Sequence, residues 1–423
     1  MTKDRFVRHA DPILGEEVLV ARAASGMPVR VVPTARFRDV CAVVSVGYGS
    51  TDLGFAVDGG SVHRSPEGVA HFLEHKLFED QDLHVFERFG KRGARVNAMT
   101  GFGRTTYYFQ AGTAFEANLE DLLRLVSRAH LTPENVDKER GIIAQELRMY
   151  EDSPVYRGFF GLLGALYAEH PVRHPVGGTV ESIADIDVEE LLACFGAFYR
   201  SGNMALAVAG PVEPDRVLEL ADAAAIPTGA APERFCPDDL GRPMERRVSV
   251  SMEVARPRFL LGYKDRQLVA DPEVRLRRDL ATRVCMDLIL GAGSDAREEA
   301  QRSGAFDDSM TGSYLGEARF GTAALVCETE DAPRVEAVLR ELLERPLDVR
   351  EADLERIRRR QLGSLVRSFD SVQSLAFGQA EEALLGIAPF GQLARMQALS
   401  IDDVEARRAE LFDAESSATC QVG

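Results

Sequence analysis

The sequence predicts two similar domains, each built from alternating strands and helices. The chain has 423 residues, 45% of them hydrophobic, enough for at least two domains with their own cores. Strand-like and helix-like segments alternate through both halves. Segments starting at Ile186 and Ile401 each lead through a helix into a strand-like end, at Gly210 and Gly423. These ends are about half a chain apart, so a duplicated α/β domain is the simplest interpretation.

The first half contains five predicted strands. Residues 18–24 and 28–33 are predicted to form a hairpin. Residues 41–47 are a short apolar run rich in β-branched side chains, which is typical of a buried strand. Residues 105–111 alternate as a strand does, and residues 204–210 form an apolar strand that closes this half.

Three helices are predicted between these strands. One covers residues 66–79, with Ser65 as its N-cap and a proline as its first residue, where a missing N–H does no harm. Residues 115–129 have the apolar spacing of a helix. The third helix begins after the cap residue Thr132 and ends near residue 152.

The second half has a similar pattern, and a linker separates it from the first. Strands are predicted at 247–254, 259–264 and 322–327, and a helix at 275–290. Residues 228–245 hold several prolines, glycines and charged side chains and form the predicted linker. The predicted domains are therefore an N-terminal domain of residues 1–227 and a C-terminal domain of residues 246–423.

Charge and cysteine content restrict the partners and the compartment. The formal net charge of −17 argues against nucleic acid or an anionic membrane as the main partner, because both require clustered positive charge. The first residues contain no apolar signal segment, and no apolar run reaches membrane-spanning length. The six cysteines are far apart and form no C-x-x-C motif. They indicate buried thiols in a reducing compartment, so we expect a cytoplasmic protein.

The segment His71–Phe72–Leu73–Glu74–His75 carries the clearest chemistry. The two histidines are four residues apart on the first predicted helix and project from one face. Two imidazoles at this spacing can hold Zn²⁺, and Glu74 can act as general base on a water bound by the metal. This H-x-x-E-H pattern is the inverted form of the commoner zinc-peptidase motif.

A catalytic zinc requires a third protein ligand, and Glu146 is the best candidate. It lies on the third predicted helix, seven residues after Glu139, so both carboxylates share a face. One can bind the metal while the other orients a ligand. Two neutral histidines and one carboxylate leave a net positive centre, which lowers the pKa of bound water and polarises a peptide carbonyl. Glu74 would take the proton from the water and return it to the leaving amine.

The motif by itself could also be a solvated helix face. The capped helix and the carboxylate pair on a second capped helix favour the metal site. His170 and His174 are also four residues apart, but prolines follow both and disfavour a helix there. All eight histidines lie in the first 174 residues, so the second half cannot carry a matching site. The remaining histidines include His63, His84 and His130, which are expected at the surface or in loops.

Several segments resemble the pitrilysin/insulinase zinc peptidases, or inverzincins, which include the mitochondrial processing peptidases and their bacterial relatives. Residues 68–75, Gly-Val-Ala-His-Phe-Leu-Glu-His, resemble the family signature. Residues 139–146 resemble its downstream segment, with Glu146 at the third-ligand position and Glu139 at the supporting position. Residues 97–100, followed by Thr106 and Tyr107, resemble the edge strand beside the zinc, and residues 203–210 resemble the strand that closes the first domain.

The resemblance implies an α+β fold of two homologous domains, each with a mixed or antiparallel sheet and helices on one face. It implies that the chain forms half of a clam-shell peptidase and faces a second, similar chain. The pair would enclose a chamber for short or unfolded peptides. The substrate would add as a strand beside Asn97 and Ala98, which gives main-chain affinity with loose sequence preference.

In one segment the sequence departs from the family pattern. Many members carry an arginine and a tyrosine in the half opposite the zinc, whereas Arg302–Ser303–Gly304–Ala305–Phe306–Asp307 contains no tyrosine. If that pair is needed, neither this chain nor an identical copy can supply it. We therefore favour a heterodimer with a homologous partner that carries the pair, with a homodimer as the alternative.

Two functions remain in competition. The first is an active zinc endopeptidase or oligopeptidase, and the second is a non-catalytic structural or interaction subunit. Such subunits commonly lose the zinc motif, and this chain keeps every element of it, which favours activity. Two histidines and one glutamate favour zinc over manganese or cobalt.

Overall fold

The computed structural model describes residues 5–11, 14–80 and 85–423, so His84 lies outside the described residues. The chain divides into two compact units, each assembled from separate stretches of sequence. Unit 1 comprises Met1–Leu147, Pro175–Phe235 and Leu365–Phe390. Unit 2 comprises Arg148–His174, Cys236–Ser364 and Gly391–Gly423.

The strands follow one another along both halves of the chain. In chain order they are β1 (Val7–Asp11), β2 (Glu16–Arg22), β3 (Pro28–Pro33), β4 (Val40–Val46), β5 (Gly54–Ala56), β6 (His63–Arg64), β7 (Arg95–Thr100), β8 (Thr105–Ala111), β9 (Met204–Gly210), β10 (Glu233–Arg234), β11 (Arg247–Val250), β12 (Arg258–Lys264), β13 (Thr311–Gly316), β14 (Gly321–Glu328) and β15 (Ser417–Val422).

The helices alternate with these strands. In chain order they are α1 (Val69–Leu77), α2 (Val85–Lys91), α3 (Phe115–Ser127), α4 (Pro133–Glu151), α5 (Pro154–Leu166), α6 (Val188–Phe198), α7 (Pro214–Ala223), α8 (Pro272–Leu290), α9 (Asp295–Arg302), α10 (Ala332–Glu344), α11 (Glu351–Ser368), α12 (Val372–Leu384), α13 (Gly391–Gln397) and α14 (Ile401–Leu411). In the described part of the chain, no helix is long and apolar enough to cross a membrane.

Unit 1 is built on a seven-stranded mixed sheet in the order β1-β2-β3-β9-β4-β8-β7. The strands β2, β3, β4, β8 and β9 confirm the five strands predicted in the first half. Strand β9 runs parallel to β3 and antiparallel to β4, and all seven of its residues are buried. Strand β7 pairs only with β8 in the described sheet and forms its edge.

The two faces of this sheet bury different helices. Alternate strand residues such as Val31 point into the core formed with α1, α3, α4, α6 and α7. Their neighbours, such as Val32, point to the opposite face, where α12 packs. Helix α12 belongs to the second half of the sequence, so unit 1 is completed by a segment from far along the chain.

Unit 2 repeats this design with a five-stranded sheet in the order β11-β15-β12-β14-β13. Strand β15 runs parallel to β11 and antiparallel to β12, as β9 does between β3 and β4. The helices α6 and α14 lead into β9 and β15, so the predicted repeat is confirmed. Both units are mixed sheets with packed helices, which confirms the predicted α+β fold of two similar halves. The helices were expected on one face of each sheet, whereas in unit 1 α12 also covers the second face.

Helix α5 comes from the first half and covers one face of the sheet in unit 2. Its glycines allow a close approach, because a Cβ at Gly158 would lie 2.9 Å from Cγ2 of Val422. A Cβ at Gly161 would lie 3.1 Å from Sγ of Cys420. The opposite face of the sheet packs against the other helices of unit 2.

The predicted start of the first helix is wrong. Helix α1 begins at Val69, and its N-cap is Gly68 with a φ of 87°, not Ser65. A Cβ at residue 68 would clash with the carbonyl oxygen of Gly177, so this turn requires glycine. The N-cap of α4 is confirmed, because Thr132 Oγ1 accepts from the backbone N–H of Asn135.

The predicted linker contains regular structure. Within residues 228–245, β10 pairs antiparallel with β5 in a small three-stranded sheet. Each compact unit contains segments from both halves of the sequence. The domain limits 1–227 and 246–423 therefore stay a prediction. Strand β13, at the edge of the sheet in unit 2, was not predicted from the sequence.

Candidate metal centre

The first element of the site is α1, which presents His71 and His75 from successive turns. The two ring centroids are 4.6 Å apart. The orientation of the helix is fixed by its apolar residues, which pack into the core of unit 1: Val69, Ala70, Phe72, Leu73 and Leu77. With these residues directed into the core, both histidines face the neighbouring helix α4.

Helix α4 brings Glu146 to the two histidines. Its Oε2 lies 3.9 Å from Nε2 of His71 and 3.5 Å from Nε2 of His75. One ligand atom of each residue lies within 4.8 Å of the other two, and among the described residues this is the only such group of three potential metal ligands. Glu146 is 71 positions after His75 in the sequence, so the fold creates this cluster.

The three residues fit a zinc ion. In a tetrahedral site with bonds of about 2.0–2.1 Å, neighbouring donor atoms lie roughly 3.3 Å apart. The separations of 3.5 and 3.9 Å from Glu146 to the histidines are close to that spacing. Two imidazole nitrogens and one carboxylate oxygen also form a donor set typical of catalytic zinc, with a fourth position left open.

Glu139 supports His75 from the side away from Glu146. Nδ1 of His75 donates a hydrogen bond to Oε1 of Glu139 over 3.0 Å, which leaves Nε2 directed towards Glu146. Burial would raise the pKa of Glu139, but the hydrogen bond to His75 and the nearby positive charges lower it overall. Burial would lower the pKa of His75, but the hydrogen bond to Glu139 and the surrounding carboxylates raise it overall.

His71 has a different environment. Burial, with a smaller contribution from the adjacent His75, lowers the pKa of His71 to about 3. Its imidazole is therefore neutral near pH 7, which is the form that binds metals. Nδ1 of His71 is buried and has no hydrogen-bond partner among the described residues.

Glu74 lies beside the cluster and is only 8% exposed. Its Oε2 accepts a hydrogen bond of 2.5 Å from Oγ1 of Thr100, the last residue of β7. Burial raises the pKa of Glu74, while hydrogen bonds from the side chain and the backbone of Thr100 and the charge of His75 oppose that shift. The sequence gives no sign of this contact, because Thr100 and Glu74 are 26 positions apart and lie on different elements.

Asn97 and Ala98 lie on the same edge strand. Asn97 is exposed and Ala98 is partly buried, and both pair with β8 on the inner side. In the described part of the chain, no strand pairs with the outer side of β7. The outward-facing backbone groups of β7 therefore form an edge to which an extended peptide can add.

The other segments considered in the sequence do not join this cluster. Nδ1 of His170 accepts from the backbone N–H of Val172 in a short 3₁₀ turn, and burial lowers the pKa of His170 to about 4. In unit 2, Arg302 forms ion pairs with Glu298 and Glu299, while Phe306 is buried in the core.

The fold and the site together define a class of protein. A two-domain α+β chain with an H-x-x-E-H helix and a distant glutamate has the build of an inverzincin. Residues 48–180 match the sequence profile of Insulinase (Peptidase family M16), and residues 185–361 match that of the Peptidase M16 inactive domain. The chain belongs to the M16 peptidase family.

Its relatives include proteins named as proteases. It is 31% identical to the "Uncharacterized zinc protease YmfH" of Bacillus subtilis over 416 residues, which cover 97% of each chain. The crystal structure of a putative M16-like peptidase from Alicyclobacillus acidocaldarius matches with a TM-score of 0.90 and 32% identity, covering 98% of this chain and 99% of that chain. The beta subunit of the mitochondrial-processing peptidase of Caenorhabditis elegans is 27% identical over 205 residues, 46% of this chain and 44% of that protein.

Proposed function

We propose that this protein is a zinc-dependent endopeptidase or oligopeptidase that cleaves short or unfolded peptides. The observation that carries the proposal is the convergence of His71, His75 and Glu146 beside the buried carboxylate of Glu74. The names of the relatives as zinc proteases support the same metal. In this proposal His71, His75 and Glu146 bind zinc, and Glu139 orients His75.

Each residue has a distinct role in peptide hydrolysis. A zinc ion held by the three ligands would polarise the peptide carbonyl and make water more acidic. Glu74 accepts a proton as the water oxygen bonds to the carbonyl carbon. When the carbon–nitrogen bond breaks, Glu74 returns that proton to the leaving amine. The second proton of the water passes from the new carboxyl group to the amine, so the products are a carboxylate and an ammonium group, and Glu74 ends in its starting state.

The substrate is proposed to bind as an added strand along β7. Asn97 and Ala98 lie on this strand, three and two residues before Thr100, so a peptide paired with them runs close to Glu74. Main-chain hydrogen bonds would supply most of the affinity, which suits substrates of varied sequence in an extended conformation. Folded proteins would be poor substrates because their strands are already paired.

Substitutions in the site test this function. The wild-type protein should contain about one zinc per chain by elemental analysis and should cleave peptides when assayed together with any homologous partner that co-purifies with it. Glu74→Gln should keep the zinc and lose cleavage, because an amide cannot accept the proton. His71→Ala and Glu146→Ala should lose the zinc.

Glu151→Gln is a matched control, because Glu151 is exposed at the end of the same helix as Glu146. This variant should retain both zinc and cleavage. Undiminished cleavage by Glu74→Gln would contradict the proposed mechanism. Zinc binding without any cleavage, both by the wild type alone and by the wild type together with a co-purified homologous partner, would favour the alternative, a non-catalytic subunit.

We also propose that a homologous partner completes the active enzyme. Phe306 is buried and lacks the hydroxyl of the tyrosine found in many family members, so this chain does not provide that group. The C. elegans relative is named as a subunit, which is consistent with a paired enzyme. Light scattering after size-exclusion chromatography, combined with a peptidase assay, tests this idea. An active homodimer would contradict the heterodimer.

The compartment and the domain limits complete the proposal. We place the protein in the cytoplasm, which is supported by five buried cysteine thiols: Cys41, Cys194, Cys285, Cys327 and Cys420. Residues 1–227 would be the zinc-binding domain, 228–245 the linker and 246–423 the non-catalytic domain. No nucleic acid or membrane is proposed as a partner.

A further inference from the structure

The contact between Thr100 and Glu74 has the geometry of a strong hydrogen bond. Oγ1 of Thr100 lies 2.5 Å from Oε2 of Glu74, within the range of a hydroxyl that donates to a carboxylate. The two residues are 26 positions apart, on the edge strand β7 and on helix α1. The bond therefore joins the strand proposed to bind peptide to the helix that carries the histidines.

The surroundings of Thr100 leave its hydroxyl proton for Glu74. The neighbouring Thr105, paired with Thr100 at the end of the hairpin, is fully buried and donates its own proton to the carbonyl oxygen of Tyr48 over 2.8 Å. The oxygens of Thr100 and Thr105 are 3.3 Å apart. Because Thr105 has only one hydroxyl proton, it can only accept from Thr100, and the shorter contact of Thr100 is with Glu74.

We propose that Thr100 is a positioning residue that holds one oxygen of Glu74 so that the other oxygen faces the attacking water. The inference rests on the proposed function, in which Glu74 is the general base. A carboxylate with both oxygens free could rotate and present either one in several directions. With Oε2 held by Thr100, Oε1 has a fixed direction, and proton transfer depends steeply on such alignment.

The location of Thr100 adds a second consequence. A peptide that pairs with β7 takes its position from the backbone of Asn97 and Ala98. Thr100 belongs to the same short strand, so the scissile bond and the base are both aligned relative to β7. The hydroxyl of Thr100 should therefore affect kcat, the rate of cleavage of the bound peptide, and should leave the affinity for the peptide unchanged.

Two substitutions distinguish positioning from a purely structural role. Thr100→Val keeps the shape of the side chain and removes the hydroxyl, whereas Thr100→Ser keeps the hydroxyl and removes a methyl group. Thr113→Val is the matched control, because the hydroxyl of Thr113 donates to the carbonyl oxygen of Arg92, outside the site.

The kinetic measurements are kcat, KM and zinc content for each variant. We expect Thr100→Val to lower kcat roughly 10- to 100-fold at unchanged KM and zinc content. Thr100→Ser should stay within about threefold of the wild-type kcat, and Thr113→Val should match the wild type. Peptide affinity, measured by fluorescence anisotropy in the Glu74→Gln background, should be the same with Thr100 and with Val at this position.

A crystal structure of Thr100→Val provides a test that does not depend on activity. The carboxylate of Glu74 should turn or occupy more than one position, and it should remain in place in Thr100→Ser. An unmoved Glu74 in Thr100→Val, or equal kcat for Thr100→Val and wild type, would overturn this inference. Equal losses in Thr100→Val and Thr100→Ser would do the same. Cleavage that depends on Glu74 would still support the proposed function in each of these cases.

Discussion

At the scale of single residues, Glu139 determines which nitrogen of His75 faces Glu146. Because Nδ1 of His75 donates to Glu139, Nε2 carries a lone pair on the side of Glu146. A carboxylate in this position also increases the basicity of the imidazole and strengthens its bond to a metal. His71 has no equivalent carboxylate, since its Nδ1 is buried without a hydrogen-bond partner among the described residues. The two histidines should therefore contribute unequally to metal affinity.

Substitution of Glu139 tests this difference. Glu139→Gln should weaken zinc binding roughly 10- to 100-fold, because a neutral amide accepts a weaker hydrogen bond from His75. Competition with a chromogenic chelator measures the zinc dissociation constant. The control Glu151→Gln removes an equal charge from the exposed end of the same helix and should bind zinc as the wild type does. Equal zinc affinity in Glu139→Gln and the control would contradict the role of Glu139.

His170 should make stability depend on pH. Burial lowers the pKa of His170 to about 4, and the charges of Lys264 and Arg319 add to this effect, while Asp239 opposes it. In the unfolded chain the imidazole of His170 becomes protonated below about pH 6.5, whereas in the folded chain it stays neutral until about pH 4. The stability that is present above pH 6.5 is therefore lost as the pH falls towards 4. The free energy of unfolding should decrease by about 3 kcal/mol over this range.

Denaturant titrations between pH 7.5 and 4.5, with metal removed, measure this loss. His170→Asn has no titrating group and can still accept from Val172, so its stability should fall less with pH. His71 titrates in both proteins and cancels in the comparison. Parallel pH profiles for the two proteins would show that His170 does not contribute.

The residue pattern of the candidate site could be predicted only in part. His71 and His75 could be paired from their spacing on one helix, and Glu139 and Glu146 from theirs on another. The sequence could not show the contact between Thr100 and Glu74, because it depends on how the edge hairpin lies against α1. It also could not show that Nδ1 of His75, and not that of His71, has a carboxylate partner.

At the scale of elements, the position of α1 depends on the turn that precedes it. Gly68 adopts a left-handed conformation and lies directly against the backbone of Gly177 and Gly178. This close approach explains why the predicted cap at Ser65 is wrong. Local sequence favoured a serine–proline start, but the tertiary contact fixes the beginning of the helix three residues later. Strands such as β4 and β9 were easier to predict because their apolar runs are short and fully buried.

Replacing this glycine should disturb the metal site through α1. Gly68→Ala places a Cβ against the carbonyl oxygen of Gly177 at a positive φ, which should cost roughly 1–3 kcal/mol of stability. Zinc affinity should also fall, because α1 carries both histidines. The control is Gly141→Ala on α4, where an added Cβ meets nothing within 4 Å. This substitution should stabilise the helix by roughly 0.5–1 kcal/mol. Thermal denaturation and chelator competition would measure both effects. A harmless Gly68→Ala would contradict this account of the turn.

At the scale of the whole molecule, the two similar halves differ in the residues that stand at equivalent positions, and only the first half carries the candidate metal ligands. The hairpins β7–β8 and β13–β14 end on the equivalent pairs Thr100–Thr105 and Gly316–Gly321. A Cβ at Gly316 would lie 2.7 Å from Oδ1 of Asp279 on α8. Asp279 therefore lies near Gly316 in the second half, as Glu74 lies near Thr100 in the first half. The second half has no histidine, so it has no equivalent of the candidate metal ligands His71 and His75.

The sequence could not show that each half of the chain contributes a helix to the unit built mainly from the other half. The small and apolar residues of α12 indicate a buried helix, but they do not indicate which sheet it covers. The same holds for α5, whose glycines reveal a close packing partner without identifying it. Hydrophobic periodicity indicates that one face of a helix is buried. Which sheet covers that face depends on shape complementarity between segments that are far apart in the sequence.

This sharing of helices predicts that neither half of the chain folds well by itself. A fragment of residues 1–227 lacks α12 and exposes one apolar face of its sheet, formed by Val18, Val32, Cys41, Val43, Ala207 and Ala209. It should aggregate or bind a hydrophobic dye such as ANS. A fragment of residues 246–423 lacks α5 and should behave in the same way.

Co-expression of complementary fragments, residues 1–235 and 236–423, should restore a soluble complex, because each supplies the helix that the other lacks. A sharper control fuses residues 365–390 to residues 1–235 through a flexible linker, which returns α12 to unit 1 without residues 236–364 and 391–423. This fusion should bind less dye than residues 1–235 alone and should bind zinc, since His71, His75 and Glu146 all lie in unit 1. A monomeric fragment of residues 1–227 that unfolds cooperatively and binds no dye would show that α12 is dispensable for the sheet it covers.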